Sequence, residues 1–263
     1  SEKEVNEYYS NEYREDYKKT FTPKKKHVYR AGKLALERIK FLKERNILQG
    51  NLLDVGAGGG EFTYLSSKLG FASEGIEPNV GYSNFAREEY GINIQTGHLS
   101  DVCQKFDLIT MFHALEHIPN PIQTFKLLYE LLNNEGNLFI EVPNIETKDA
   151  SPHNIYFKAH IHYFSASTLT SAASQYFEKI DENIGSNLRI LFKRKDTVEE
   201  DLTYPSQEQI SQSALRLQEK GWFEYLINGR GYKKLPLRIK QLYTESRLNY
   251  DSSIEVLDDI LRS

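Results

Sequence analysis

The sequence contains very little cysteine and no long apolar run. Cys103 is its only cysteine, which excludes an intrachain disulfide and a zinc site built from cysteines. We expect this thiol to lie buried in the core rather than to act as a nucleophile. The longest apolar runs, such as residues 138–142, are far shorter than the roughly 20 residues of a membrane-spanning helix. The first residues show no apolar segment of a signal peptide. These absences predict a cytoplasmic protein without membrane insertion.

An excess of positive charge is also missing. The chain has 33 Lys and Arg residues against 37 Asp and Glu residues, which gives a net charge of −4 at pH 7. A protein that binds nucleic acid through a broad cationic surface would show the opposite balance, so the charge argues against a nucleic-acid partner. The length of 263 residues and the hydrophobic content of 39% are instead typical of a globular domain with appendages.

Apolar residues alternate between strand and helix spacing through the middle of the chain. Helical spacing continues up to Gly50, which we expect to end an N-terminal helix. Strands are predicted at residues 52–55, 72–77, 92–95, 106–112 and 138–142. A helix lies before the last of these, over Phe125, Leu128 and Leu132. Such alternation implies βαβ units, and the sequence therefore predicts an α/β fold with a doubly wound, mainly parallel sheet.

The following residues predict an antiparallel end to this sheet. Ser165 is placed to cap a helix that continues through Tyr176, and two strand-like runs follow at residues 177–183 and 188–193. The sequence thus divides into an N-terminal helical lid at 1–48, a core at 49–196 and a C-terminal helical extension at 197–263.

Both extensions have two interpretations. The N-terminal extension combines a tyrosine stripe with a basic cluster, which forms either a lid facing an acidic acceptor or a solvated amphipathic helix. The C-terminal extension, with Trp222 and the basic stretch 230–234, either caps an acceptor pocket or mediates oligomerisation. The stripe and the cluster consist of Tyr9, Tyr13, Tyr17, Lys24, Lys25, Lys26, His27 and Arg30.

A glycine loop follows the first predicted strand. Its spacing is D-x-G-x-G-x-G from Asp54 to Gly60, and such a loop lets a ligand approach the backbone closely. Glu61 stands where a dinucleotide fingerprint needs Gly or Ala, and its charge disfavours a pyrophosphate. Glu77, at the end of the second strand, is placed to accept hydrogen bonds from ribose hydroxyls. The pattern predicts a nucleoside ligand without phosphates.

Four motifs in order resemble the class I S-adenosylmethionine-dependent methyltransferases. They are LLDVGAGGGEF at 52–62, GIEPN at 75–79, FDLITMFHALEHIPNP at 106–121 and LFIEVPN at 138–144. The resemblance implies a Rossmann-like seven-stranded sheet with S-adenosyl-L-methionine as the cofactor. The cofactor-binding residues that it implies are Asp54, Gly56, Ala57, Gly58, Gly60, Phe62, Glu77, Pro78, Gly97, His98, Leu99, Phe112 and His113.

Five of the seven histidines fall within fifty residues from the fourth strand onward: His113, His117, His153, His160 and His162. Residues 157–165 and 185–189 resemble the active-site stretch of sugar-nucleotide C-methyltransferases, which implies that His160 is the general base. This chain has Phe157 in place of their tyrosine and lacks their zinc-bound cysteine module. Carbon methylation is therefore disfavoured, and the predicted catalytic residues are His160, His113 and His162.

A second resemblance concerns the residues from His113 to His117. They are similar to the E-x-x-E-H of magnesium-dependent 2′-O-methyltransferases of small RNAs and of related quinone O-methyltransferases. In that interpretation Glu116 and His117, with His160 or His162, would bind a metal. Because His113 replaces the first glutamate, which weakens a site for a hard cation, the expectation from the sequence is a site without metal.

These features predict a methyltransferase enzyme. The expected reaction is O-methylation of a small or saccharide-like acceptor with a histidine base, as in polysaccharide biosynthesis. The alternatives are methylation of RNA or protein, and a cofactor-binding interaction module without catalytic activity. Methyl transfer itself depends above all on alignment of the nucleophile with the methyl group, which is worth about 7–11 kcal/mol.

Overall fold

The computed structural model of the protein describes residues 22–151, 156–157 and 159–263. Two sets of predicted residues lie outside this part: the stripe of Tyr9, Tyr13 and Tyr17, and His153. The chain divides into two compact units. The first unit contains the described residues up to Met111, with Leu131–Asn133 and Arg247–Ser263, and the second contains Phe112–Glu130 and Asn134–Ser246.

The described helices and strands are numbered in chain order. The helices are α1 (Lys25–Lys43), α2 (Glu61–Lys68), α3 (Val80–Tyr90), α4 (Pro121–Leu131), α5 (Ala166–Ala173), α6 (Gln207–Gln218), α7 (Trp222–Ile227), α8 (Lys234–Ser246) and α9 (Ser253–Arg262). The strands are β1 (Gly50–Val55), β2 (Phe71–Glu77), β3 (Asn93–Thr96), β4 (Phe106–Phe112), β5 (Leu132–Pro143), β6 (Phe177–Ile184) and β7 (Asn187–Arg194). None of the described helices is both long enough and apolar enough to cross a membrane.

The seven strands have the order β3-β2-β1-β4-β5-β7-β6. Strand β1 pairs in parallel with β2 and β4, and β2 pairs in parallel with β3. Strand β7 runs antiparallel to both β5 and β6. The predicted α/β fold with a doubly wound, mainly parallel, seven-stranded sheet and an antiparallel hairpin is therefore confirmed.

The core of the first unit includes a close pair of helices from the two ends of the described chain. Helix α1 buries residues at helical spacing, including Ala35 and Ile39, and α9 buries Leu257 and Ile260. A Cβ atom at Gly32 would lie 2.7 Å from the Leu257 side chain. The glycine therefore lets the two helices approach each other, and burial of such apolar faces stabilises short helices in proteins.

The core of the second unit is aromatic. The Phe125 ring on α4 lies 6.0 Å from the Phe177 ring and 6.5 Å from the Phe192 ring, both in edge-on geometry. All three side chains are almost completely buried. Edge-to-face pairs of this kind add to the stabilisation from apolar burial. They hold α4 against the β6–β7 hairpin.

Four local predictions were wrong. Gly50 does not end a helix but begins β1, because α1 ends at Lys43 and Asn46 takes a left-handed conformation. Leu132 is the first residue of β5, since the chain passes from helix to strand without a loop. Tyr176 lies beyond α5, which ends at Ala173. Cys103 is exposed rather than buried, because it sits in the loop before β4.

Candidate active site

The glycine loop after β1 is tied to the neighbouring strand. The backbone N–H groups of Gly56 and Ala57 both donate to the Ile76 carbonyl oxygen, at 2.8 and 3.1 Å. Gly60 has a φ of 84° and precedes α2. A Cβ atom there would lie 2.8 Å from the Ala86 side chain. Glycine is thus required at Gly60 both by backbone conformation and by space.

Glu77 closes β2 with a buried carboxylate that is 3% exposed. Its Oε2 accepts the Gly58 N–H at 2.8 Å, and its Oε1 accepts the Asn79 N–H at 3.1 Å. These two donors fix the orientation of the carboxylate beside the glycine loop. A carboxylate is an acceptor-only group, which suits the vicinal hydroxyl donors of a ribose.

Asp54 is buried at the end of β1. Its carboxylate accepts hydrogen bonds from the Thr63 hydroxyl at 3.0 Å and the Thr110 hydroxyl at 2.9 Å. Burial raises the pKa of Asp54 to about 6, although both hydrogen bonds act in the opposite direction. The side chain links β1, α2 and β4 beneath the loop. Neither Thr63 nor Thr110 was predicted from the sequence.

The segment from Gly97 to Leu99 follows β3. The Gly97 N–H donates to the Glu77 carbonyl oxygen at 3.2 Å, and the His98 N–H donates to Asp101 Oδ2 at 2.8 Å. A Cβ atom at Gly97 would lie 2.7 Å from the same Asp101 oxygen, so the turn needs glycine. The structure therefore places this predicted segment beside the backbone of Glu77, within the first unit.

The second unit contains a cluster of histidines around Glu116. Glu116 is 1% exposed, and neither of its carboxylate oxygens has a hydrogen-bond partner among the described residues. Its Oε1 lies 3.4 Å from His113 Nδ1, 3.9 Å from His117 Nε2 and 3.9 Å from His160 Nε2. A buried carboxylate without hydrogen bonds is costly, which makes Glu116 a group prepared for a ligand.

Backbone contacts hold the other members of this cluster in place. His117 Nδ1 lies 3.0 Å from the Ala159 carbonyl oxygen, which favours the tautomer with a proton on Nδ1 and a lone pair on Nε2. The Glu116 carbonyl oxygen accepts the N–H groups of Ile161 and His162. The segment that carries His160 is thereby fixed against Glu116.

The pKa values separate His160 from His113. Burial lowers the pKa of His160, only partly offset by the Glu116 carboxylate, so its imidazole is neutral at pH 7. Burial also acts to lower the pKa of His113, but the nearby carboxylates of Glu116 and Glu141 outweigh it and raise the value to about 9. A protonated imidazole cannot accept a proton. The structure therefore favours His160 over His113 as a base.

Glu141 is the centre of a polar network that was not predicted from the sequence. The residue is completely buried on β5, and its carboxylate accepts Arg189 Nε at 2.6 Å and Asn187 Nδ2 at 3.0 Å. Its Oε1 also lies 3.1 Å from His113 Nε2. His113 has a φ of 52°, in the left-handed region. The available signal was a lone acid inside the apolar run of residues 138–142.

The structure thus gathers only some of the predicted catalytic residues. His113 and His160 lie beside Glu116, together with His117. His162 does not, because its Nε2 lies 3.1 Å from the Pro119 carbonyl oxygen. Phe112 packs edge-on against Phe139 at 5.3 Å.

Ligand atoms of Glu116, His117 and His160 all lie within 4.8 Å of one another. One carboxylate and two imidazoles are a donor set that divalent cations bind. Both carboxylate oxygens of Glu116 lack a hydrogen-bond partner among the described residues, so they are available as ligands for a cation. These residues therefore fit a cation, whereas the sequence led us to expect none.

A family model described as a methyltransferase domain matches residues 26–176, which is more than half of the chain. The chain belongs to the class I S-adenosylmethionine-dependent methyltransferases. The cofactor of this family is S-adenosyl-L-methionine. The glycine loop and the acceptor-only Glu77 are the groups that the sequence predicts for binding its nucleoside.

Among the methyltransferase's curated relatives is a ubiquinone biosynthesis O-methyltransferase from Coxiella burnetii, 30% identical over 116 residues. The alignment covers 41% of this chain and 50% of that protein. A protein of the same name from Pseudomonas entomophila is 26% identical over 121 residues, and this alignment covers 42% of this chain and 52% of that protein. The chain thus spans about half the length of the curated relatives it matches.

Solved structures show the same fold. A magnesium protoporphyrin IX methyltransferase from Synechocystis PCC 6803 with bound S-adenosylhomocysteine gives a TM-score of 0.58 at 12% identity, covering 74% of this methyltransferase and 100% of that chain. A possible histamine N-methyltransferase from Thermotoga maritima gives a TM-score of 0.52 at 18% identity, covering 73% and 99%.

Proposed function

We propose that this protein transfers the methyl group of S-adenosylmethionine to a hydroxyl oxygen of a small-molecule acceptor. The relatives named as O-methyltransferases support oxygen as the methylated atom. The observation that carries the proposal is the buried Glu116 carboxylate with the neutral His160 imidazole 3.9 Å away. Oxygen nucleophiles carry a proton that must leave, and this pair is suited to receive it.

His160 is the proton acceptor in this mechanism. When bound, the cofactor supplies an electrophilic methyl group on a sulfonium, and the sulfur keeps the bonding electron pair as S-adenosylhomocysteine leaves. The acceptor hydroxyl proton passes to Nε2 of His160 as the new C–O bond forms. Glu116 then faces an imidazolium, whose charge it stabilises. His117 keeps the orientation of this pair through its contact with Ala159.

His113 has a positioning role in this proposal. Its protonated ring lies between the Glu116 and Glu141 carboxylates, at 3.4 and 3.1 Å. It therefore offsets part of the charge of both acids, and on Glu116 it lies near the same oxygen, Oε1, as His160.

A second candidate uses the same residues to hold a divalent cation. Glu116, His117 and His160 would be its ligands, and the lack of hydrogen bonds to both Glu116 oxygens favours it. A bound cation would lower the pKa of an acceptor hydroxyl. His160 would then be a ligand rather than the proton acceptor.

The test is transfer of labelled methyl groups to two acceptor panels, hydroxylated aromatic rings and sugar nucleotides. The His160→Ala variant should keep cofactor affinity and lose about 10²-fold to 10⁴-fold in turnover. His162→Ala is the matched control and should keep turnover within a few fold. Full turnover by the His160→Ala variant would contradict the proposal.

Two further readouts separate the remaining candidates. Metal analysis of the purified protein, with chelation and metal re-addition, distinguishes the cation from the free base. Tight cofactor binding without transfer to any acceptor would favour a binding module.

A further inference from the structure

Helices α6, α7 and α8 are attached within the second unit through polar contacts with the loop 146–149. Each of the four loop residues makes one of these contacts. The pairs are Glu146 with Arg216 at 2.6 Å, the Thr147 carbonyl with Lys220 at 2.7 Å, Lys148 with Glu224 at 2.8 Å and Asp149 with Lys234 at 3.1 Å. Polar attachment leaves many apolar side chains of these helices exposed.

Helix α8 presents an apolar stripe to solvent. Leu235, Ile239, Leu242 and Tyr243 follow the i, i+4, i+7, i+8 spacing of one helix face. Each of them is at least half exposed, and so are the apolar residues Trp222 and Phe223 of α7. An exposed apolar helix face of this kind is typical of an interaction site.

The charge around this stripe is strongly positive. Residues 230–246 contain five basic residues and one acid, although the whole chain has a net charge of −4. All five basic residues are exposed: Arg230, Lys233, Lys234, Arg238 and Lys240. Two copies joined through this face would bring two cationic rims together. An anionic surface is the complementary partner.

We propose that α7 and α8 form an interfacial anchor that lies on an anionic lipid bilayer. Amphipathic helices of this type bury their apolar face about 5–10 Å into the boundary between headgroups and acyl chains. Each basic residue near such a surface adds to the attraction. The anchor lies outside the matched region 26–176 and does not depend on the proposed reaction.

The first test is co-sedimentation of the full chain with vesicles. Vesicles of phosphatidylcholine mixed with phosphatidylglycerol should bind at least about tenfold more tightly than phosphatidylcholine alone, and high salt should reduce the difference. Absence of binding to the mixed vesicles would overturn the proposal.

The second test compares two double variants with the same change in charge. Ile239→Glu with Leu242→Glu alters the apolar face, whereas Gln241→Glu with Thr244→Glu alters the opposite face of α8. The first pair should lose more than about tenfold in vesicle affinity and the second only a few fold. Cofactor affinity should be unchanged in both pairs, which shows that the proteins are folded.

Equal losses in the two double variants would overturn the anchor, because charge alone would then explain binding. A concentration-dependent dimer that the first double variant abolishes would also overturn it. In that case the stripe would be an interface between copies.

Discussion

The buried acids of the two units differ in their partners. In the first unit, Asp54 accepts two hydroxyl groups and Glu77 accepts two backbone N–H groups. In the second unit, Glu141 is equally well paired, but both oxygens of Glu116 lack a hydrogen bond among the described residues. Fully paired acids build a rigid scaffold, whereas an acid surrounded only by imidazoles is available for chemistry.

The largest effect is expected when the charge of Glu116 is removed. The Glu116→Gln variant should lose about 10²-fold or more in turnover, because His160 loses the charge that stabilises its protonated form. Its melting temperature should change little, since the lost attraction to protonated His113 is offset by removal of a buried charge without hydrogen bonds. Turnover and calorimetry check both statements. Glu130→Gln, on an exposed part of α4, is the control and should change neither.

Removal of the Glu141 side chain, in contrast to neutralisation of Glu116, is expected to destabilise the fold. Glu141→Ala should lower the free energy of unfolding by about 3–5 kcal/mol, because Arg189 would be left in the protein without its carboxylate. Glu135, on the same strand, is an exposed partner of Lys193, and Glu135→Ala should cost less than about 1 kcal/mol. Urea unfolding measures both. Equal losses of unfolding free energy in the two variants would show that the buried Glu141 contributes no more to stability than the exposed Glu135.

Asp54 predicts a pH dependence of stability. Its pKa is about 6 in the folded protein and 3.8 ordinarily, so the folded state binds more protons between these values. The stabilisation is complete below about pH 4 and is lost as the pH rises through 6, by up to about 3 kcal/mol. Relative to the unaltered protein, Asp54→Asn should therefore gain stability from pH 4 to pH 7.5. Parallel stability curves for the two proteins would show that Asp54 is not a raised-pKa group.

The smallest expected effect concerns Glu77. Glu77→Gln should weaken cofactor binding by about tenfold to hundredfold, since hydrogen bonds to a charged acceptor are worth about 1.5–3 kcal/mol. Calorimetric titration with S-adenosylhomocysteine measures this loss. Glu74→Gln, on the same strand, is the control and should bind normally. An unchanged affinity in Glu77→Gln would remove this carboxylate from the cofactor site.

Local sequence patterns predicted the fold well. The strand at 106–112, the hairpin of β6 and β7 and the Ser165 cap all follow from apolar spacing, turn residues and capping chemistry. Leu132 was misassigned because a buried leucine fits a helix and a strand equally well. The predicted burial of Cys103 was wrong because residue type alone does not reveal that the residue lies in a loop.

The site could be predicted only in part. The glycine loop and Glu77 belong to a contiguous strand-loop-helix pattern, so their spacing is visible in the sequence. The partners of Glu141 lie 46 and 48 residues further along the chain, and those of Asp54 include Thr110 at 56 residues. Such pairings depend on strand register, which local patterns do not contain. The charge of His113 depends on Glu116, three residues along the chain, and on Glu141, 28 residues along the chain.

The central claim is that the Glu116–His160 pair promotes methylation of an oxygen atom. Its most direct test is carbon NMR of the product formed from ¹³C-methyl S-adenosylmethionine, with the unaltered protein and the His160→Ala variant at saturating cofactor. We predict the chemical shift of an O-methyl carbon with the unaltered protein and almost no product with the variant. An N-methyl or C-methyl carbon, or equal product from both proteins, would contradict the claim.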